Sequence, residues 1–185
     1  MRRFEALRAP IVSLLAMMLI CGVIYTAFVT GVGQAAFHSK ANGSLITVTL
    51  KDGTTRTYGS ELIAQDFTAP GYLIGRPSDV SNLGPNSAAQ AELVQARVDW
   101  WHAFDPTNTA PIPEDLVTAS GSGVDPYISP AGAEYQVARI AAARGMTPDA
   151  VRLEIAKYTK HRFLGFIGEP GVNVLLVNLA LDGLM

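Results

Sequence analysis

Only one cysteine, Cys21, occurs among the 185 residues, and it lies inside an apolar run, so neither a disulfide framework nor a cysteine metal site can be built. Basic clusters are equally scarce. Arg2, Arg3 and Arg8 stand against Glu5 at the N-terminus, and no Lys/Arg cluster follows residue 10. With a formal net charge of -2 for the chain, the remainder sums to -4, and a mildly acidic domain lacks the basic stripe that nucleic acid requires. No G-x-x-x-x-G-K-[ST] loop is present, and Gly31-Val32-Gly33 lacks the third glycine of a dinucleotide fingerprint. Ser120-Gly121-Ser122-Gly123 is not a nucleophile elbow, because neither serine has glycine at both -2 and +2. His38, His102 and His161 have no partner at a metal spacing and read as surface or packing residues. There are no internal repeats, and the length accommodates one anchor and one domain of about 150 residues.

What the chain does have is a long hydrophobic run. Ile11 to Thr30 is twenty residues without a charge, which at 1.5 Å per residue matches a hydrocarbon core of roughly 30 Å. Arginines precede it and only Lys40 follows closely, so the basic bias predicts a cytoplasmic segment 1–10, an anchor helix 11–35 and an extracytoplasmic domain 36–185. The run exceeds the about 7–15 residues of a signal peptide, although Gly33-Gln34-Ala35 has the form of a cleavage site, so cleavage after Ala35 is the alternative. Ile20 before Cys21 is too large for a lipidation signal. Gly22, Thr26 and Thr30, and Ala27, Gly31 and Ala35, recur at four-residue spacing and offer a face for packing against other membrane helices.

The domain reads as α+β. Ser44 to Leu50 alternates and turns at Lys51-Asp52-Gly53 into Thr54 to Tyr58, a β-hairpin. Residues 68–86 hold too many prolines and glycines for a regular element. A helix capped by Asn86 or Ser87 runs to about Phe104, and a second loop spans Thr107 to Ser129. Ser129-Pro130 opens a helix ending at Arg144-Gly145, and Thr147-Pro148-Asp149 opens another through Tyr158. Val172 to Val177 is apolar on both alternating faces and reads as a central strand. Asp66, Asp79, Asp115 and Asp125 read as solvated loop carboxylates, and Trp100, Trp101 and Phe104 as core packing. An anchored hydrolase and a ligand-binding module stay open as alternatives at this level.

Several blocks together resemble the C subunit of Kdp-type potassium-transporting P-type ATPases over almost the whole chain. They are Ala41-Asn42-Gly43-Ser44-Leu45-Ile46, Gly59-Ser60-Glu61-Leu62-Ile63, Gly71-Tyr72 with Gly75-Arg76-Pro77-Ser78, and Ser81-Asn82-Leu83-Gly84-Pro85. The most specific are residues 116–126, running into Ile128-Ser129-Pro130, and Ile167-Gly168-Glu169-Pro170 with Val172-Asn173-Val174 and Asn178 to Asp182. The resemblance implies a bacterial inner-membrane complex in which a channel-like subunit carries potassium, a P-type subunit hydrolyses ATP and a small single-span subunit assists. This chain would be accessory and non-catalytic, a catalytic chaperone that stabilises the complex and raises ATP affinity. It would hold no cofactor of its own, with ATP and K+ used by the complex. Any nucleotide effect would then pass through partner contacts, since only about ten residues are expected on the cytoplasmic side.

Three departures from the family pattern stand out: a shortened loop between Ser78 and Ser81, Tyr127 in place of histidine or asparagine, and Gly171 and Leu176 where Arg and Glu are usual. The loops 71–85 and 117–129 are the expected partner surface, with Gly75, Arg76, Ser78, Asn82, Thr118, Ser120, Ser122 and Asp125 as candidate contacts. Arg76 has two readings, a partner contact or a brace closing its own loop. As a contact, its replacement by glutamate would leave the melting temperature unchanged; as a brace, it would lower it.

Overall fold

A computed structural model describes residues 2–78 and 82–185, so Asp79, Ser81 and the shortened segment between Ser78 and Ser81 lie outside the described residues. Two compact units result, Met1–Ser44 and Leu45–Met185. The first is helical: α1 (Arg2–Met17), a π-helical stretch (Met18–Tyr25), α2 (Thr26–Ala36) and a short α3 (His38–Ala41). Leu7–Ala36, 30 residues, is long and apolar enough to cross a membrane, and its side chains are exposed, which fits a single membrane pass. The Thr26 hydroxyl donates to the Cys21 carbonyl at 3.2 Å, five residues back, in keeping with the π-helical turn there.

The second unit begins with the expected hairpin, β1 (Leu45–Thr49) against β2 (Thr55–Ser60). Ile46 pairs with Gly59 but Thr47 pairs with Thr57, so Tyr58 is the extra residue of a bulge. Gly59 is required there. Its φ is +148°, and a Cβ would come within 1.7 Å of the Gln65 side chain. Helix α4 (Ala88–Phe104) starts where Ser87 Oγ accepts the Gln90 amide at 3.2 Å.

The expected helix from Pro130 to Arg144 is two helices, α5 (Pro130–Tyr135) and α6 (Val137–Arg144), joined at Gln136. Ser129 caps the first, and Gly145 ends the second in a left-handed conformation with φ 64°. Thr147 caps α7 (Pro148–Lys157). The second sheet has three short strands in the order β3 (Tyr127–Ile128), β5 (Gly171–Asn173) and β4 (Thr159–Lys160), all antiparallel.

The segment 172–177 corrects the sequence expectation. It is central in the sheet only as far as Asn173, whose side chain accepts the Leu176 amide at 3.1 Å and starts α8 (Val174–Leu181). A run that is apolar on every side suits a strand covered on both faces and also a helix buried all round, and periodicity cannot separate the two. Val174, Leu175, Val177, Asn178 and Leu179 are all buried. The core gathers Leu73, Trp101, Leu116, Ile128, Ile140, Val151, Val172 and Val177.

Candidate functional site

The second expected loop, 107–129, is irregular only in part, since it ends in β3; residues 70–76 and 116–119 of the two loops lie outside any ladder, and each buried carbonyl in them needs another donor. In the first, side chains supply one donor after another. Arg139 donates to the carbonyls of Pro70 and Tyr72, Arg144 Nε to Gly71, Asn178 Nδ2 to Leu73 at 2.9 Å, and Gln136 Nε2 to Ile74 at 3.0 Å. Burial pushes the Arg139 guanidinium down to about 10, so it stays charged at neutral pH, and it lies 4.9 Å over the Phe104 ring.

The second loop is held in the same way. Trp101 Nε1 donates to Leu116 O at 3.0 Å and Arg97 Nη1 to Val117 O at 3.0 Å, both from α4. Arg76 then takes the next two carbonyls, Thr118 O at 3.3 Å and Ala119 O at 3.0 Å, with its Nη1 3.8 Å from Asp125 Oδ2. Four successive carbonyls, 116 to 119, are thereby fixed by three side chains. These bonds give Arg76 the geometry of a brace that ties the first loop to the second, while its guanidinium keeps a quarter of its surface open to a partner.

The candidate residues fall around this brace. Asp125 Oδ1 accepts the Tyr127 amide at 3.0 Å, and Ser120 Oγ and Ser122 Oγ lie 3.3 Å apart inside the turn. Thr118 Oγ1 donates to Glu114 O at 2.8 Å. Gly75 and Ser78 border a cavity of about 320 Å³ shared with Arg76, Arg97 and Trp100. Asn82 faces Ser120 across a hollow of about 270 Å³. Ser78, Asn82 and Ser122 are exposed, whereas Gly75, Arg76, Thr118, Ser120 and Asp125 are half-buried. In the apolar helix, a Cβ at Gly22 or Gly31 would have none of the described residues within 4 Å beyond its own helix backbone and chain neighbours, so no packing within the described residues requires the small size.

Two expectations change here. Asp115 is not a solvated loop carboxylate: it sits in a 3-10 turn (Glu114–Leu116) and accepts both the amide of Ser129, at 2.6 Å, and its hydroxyl, at 3.0 Å. Asp125 is likewise engaged by its own turn. The aromatic cluster divides, with Trp101 only 2% exposed and Trp100 43% exposed and stacked on Phe104 at 4.6 Å. Arg97, Gln136 and Arg139 are not singled out by the sequence, and Asn178 appears there only within a family block, with no role attached. Their only local signal is a polar residue on an otherwise apolar helix face, as in Asn178 within VLLVNLAL. The departures Tyr127 and Gly171 meet across β3 and β5, where a Cβ on Gly171 would lie 3.2 Å from the Tyr127 side chain.

Among the described residues, no group of three or more His, Cys, Asp or Glu is placed to hold a metal ion. The arrangement is a pair of braced loops presenting short polar side chains, a form suited to contact.

The family model described as "KdpC: K+-transporting ATPase, c chain" matches residues 7–183. A potassium-transporting ATPase KdpC subunit of Listeria monocytogenes serotype 4a (strain HCC23) is 54% identical over 188 residues, covering 100% of this chain and 99% of that protein. The like-named protein of Sorangium cellulosum (strain So ce56) is 51% identical, covering 96% and 97%. That of Methylibium petroleiphilum (strain ATCC BAA-1232 / LMG 22953 / PM1) is 48% identical, covering 96% of each. Matched along nearly its whole length by both kinds of comparison, the chain belongs to the KdpC family of K+-transporting ATPase c chains.

Proposed function

We propose that this chain is an accessory, non-catalytic subunit of an ATP-driven potassium importer of the bacterial inner membrane, acting by assembly and contact. The observation that carries the reading is the match over residues 7–183 to the c chain of K+-transporting ATPases. Its partners are the potassium-translocating channel-like subunit, the P-type ATP-hydrolysing subunit and the small single-span subunit, with membrane lipid around the anchor. Residues 1–10 lie in the cytoplasm, 11–35 span the membrane and 36–185 lie outside, on the strength of Arg2, Arg3 and Arg8 ahead of the apolar run.

In this reading Gly22, Thr26, Ala27, Thr30 and Gly31 let a partner's membrane helix approach closely. The braced loops, through Ser78, Asn82 and Ser122, meet a partner outside the membrane. The chain serves as a catalytic chaperone, stabilising the complex and raising the ATP affinity of the hydrolysing subunit. That effect is a coupling between sites, transmitted through subunit contacts, because ATP is on the side of the membrane where this chain has about ten residues.

Co-purification from detergent-solubilised membranes, together with growth at limiting potassium, tests the assembly role. Deletion of the chain should dissociate the complex and abolish growth. An intact, fully active complex without it would refute the reading. ATPase activity against ATP concentration, with and without the chain, reads the affinity effect.

A further inference from the structure

Between β4 and β5 the chain makes a tight projecting turn whose side chains are apolar and outward. Phe163 is 68% exposed, Leu164 70%, Phe166 72% and Ile167 50%. The turn is rigid. Phe163 and Ile167 exchange backbone hydrogen bonds at 2.9 Å each way, Gly165 N donates to Arg162 O at 3.2 Å, and Arg162 pairs with Glu169 at 2.8 Å across its base. Leu164 adopts φ 53°, a left-handed conformation that glycine or asparagine takes far more readily. An apolar side chain held at a strained tip, where an unstrained polar one would serve the fold better, marks a function of the side chain itself.

We infer that residues 163–167 form an apolar plug that seats the domain in an apolar cleft on another protein subunit of the transporter, with Leu164 and Phe166 as its anchors. This rests on the proposed role as an assembly subunit. Three arguments favour a protein cleft over the lipid surface. The base of the turn borders a groove of about 580 Å³ whose opposite side is Arg76, Asp125 and Tyr127, so plug and braced loops form one continuous face. A fixed, strained turn also gains nothing in fluid lipid, which accepts any flexible apolar segment, but it does match a shaped pocket, where buried aromatic and aliphatic anchors dominate binding. The described residues 159–171 form no amphipathic helix, and of the basic residues beside the turn Arg162 is paired with Glu169, leaving Lys160 and His161 by the groove.

The test uses the full chain co-expressed with the other transporter subunits. Leu164→Asn keeps a residue at home in the left-handed conformation and removes the apolar anchor. The melting temperature of the solubilised chain should hold or rise, while the yield of assembled complex falls about tenfold or more. Phe166→Ser should lower the yield similarly, and a photo-crosslinking phenylalanine analogue at position 166 should capture one other subunit. Native yields for both variants, or crosslinks to lipid alone or to a second copy of this chain, would overturn the plug while leaving the assembly role intact. A wild-type chain that co-purifies with no subunit would remove both.

Discussion

Asn178 and Leu73, 105 positions apart, are joined as two strands would be: Asn178 Oδ1 accepts the Leu73 amide at 2.8 Å and Nδ2 donates to the Leu73 carbonyl at 2.9 Å. Gln136 repeats the arrangement on the next residue, accepting from Ile74 N at 2.8 Å and donating to Ile74 O at 3.0 Å. Both amides are buried, and each satisfies a backbone donor and acceptor in a segment with no ladder of its own. Replacing Asn178 with leucine, close in size, strands both Leu73 groups and should cost about 2–4 kcal/mol. Chemical unfolding of the solubilised chain measures it, and a cost below about 0.5 kcal/mol would show that the loop reorganises freely.

Arg76→Glu should lower the melting temperature of the isolated chain as well as weaken the complex, because it removes the donors of Thr118 O and Ala119 O and places a carboxylate near Asp125. The guanidinium is partly exposed, so about 1–2 kcal/mol is expected. Arg76→Lys should restore part of it, since an ammonium cannot span two carbonyls with the same fork. An unchanged melting temperature with a weakened complex would return Arg76 to the role of a direct contact.

The Tyr72 hydroxyl donates to Asp182 at 3.0 Å, and that bond, with burial, holds the phenol above its ordinary value of 10.0. A raised folded value means that the contact contributes fully below pH 10 and is lost as pH rises through the folded value. Arg139 acts with the opposite sign. Burial lowers its folded value to about 10 from the ordinary 12.5, so the charged guanidinium carries a desolvation cost in the folded state, the reverse of the Tyr72 contribution. Melting between about pH 8 and pH 11 should therefore decline less steeply for Tyr72→Phe than for the wild type. Parallel curves would assign the alkaline loss to other groups.

The contact between Tyr127 and Gly171 predicts a coupled pair. Gly171→Arg alone must push the Tyr127 side chain aside and should destabilise by about 1–2 kcal/mol, because the nearest atoms are the Tyr127 Cβ and ring. With Tyr127→Asn as well, much of that loss should return. Additive effects in the double-mutant cycle would mean that the two positions vary independently.

Signals confined to one turn of chain were readable without the fold. The Asp52-Gly53 turn, the caps at Ser87, Ser129 and Thr147 and the stop at Gly145 each depend on residues within about four positions, and the apolar run before α3 is legible because it is one unbroken stretch. The family blocks were equally legible, since they are strings of residues. What tertiary structure decided is whatever depends on a partner far along the chain. Val174–Leu181 satisfies strand and helix patterns alike, and the Asn173 cap inside a three-strand sheet selected helix. The loops 70–76 and 116–119 carry breakers that deny them a ladder, yet they are firmly held, because Asn178, Gln136, Arg139, Arg144, Trp101, Arg97 and Arg76 reach them across 15 to 105 positions. A breaker reports only that neighbours do not pair with the backbone; which distant side chain takes each carbonyl is set when the helices pack.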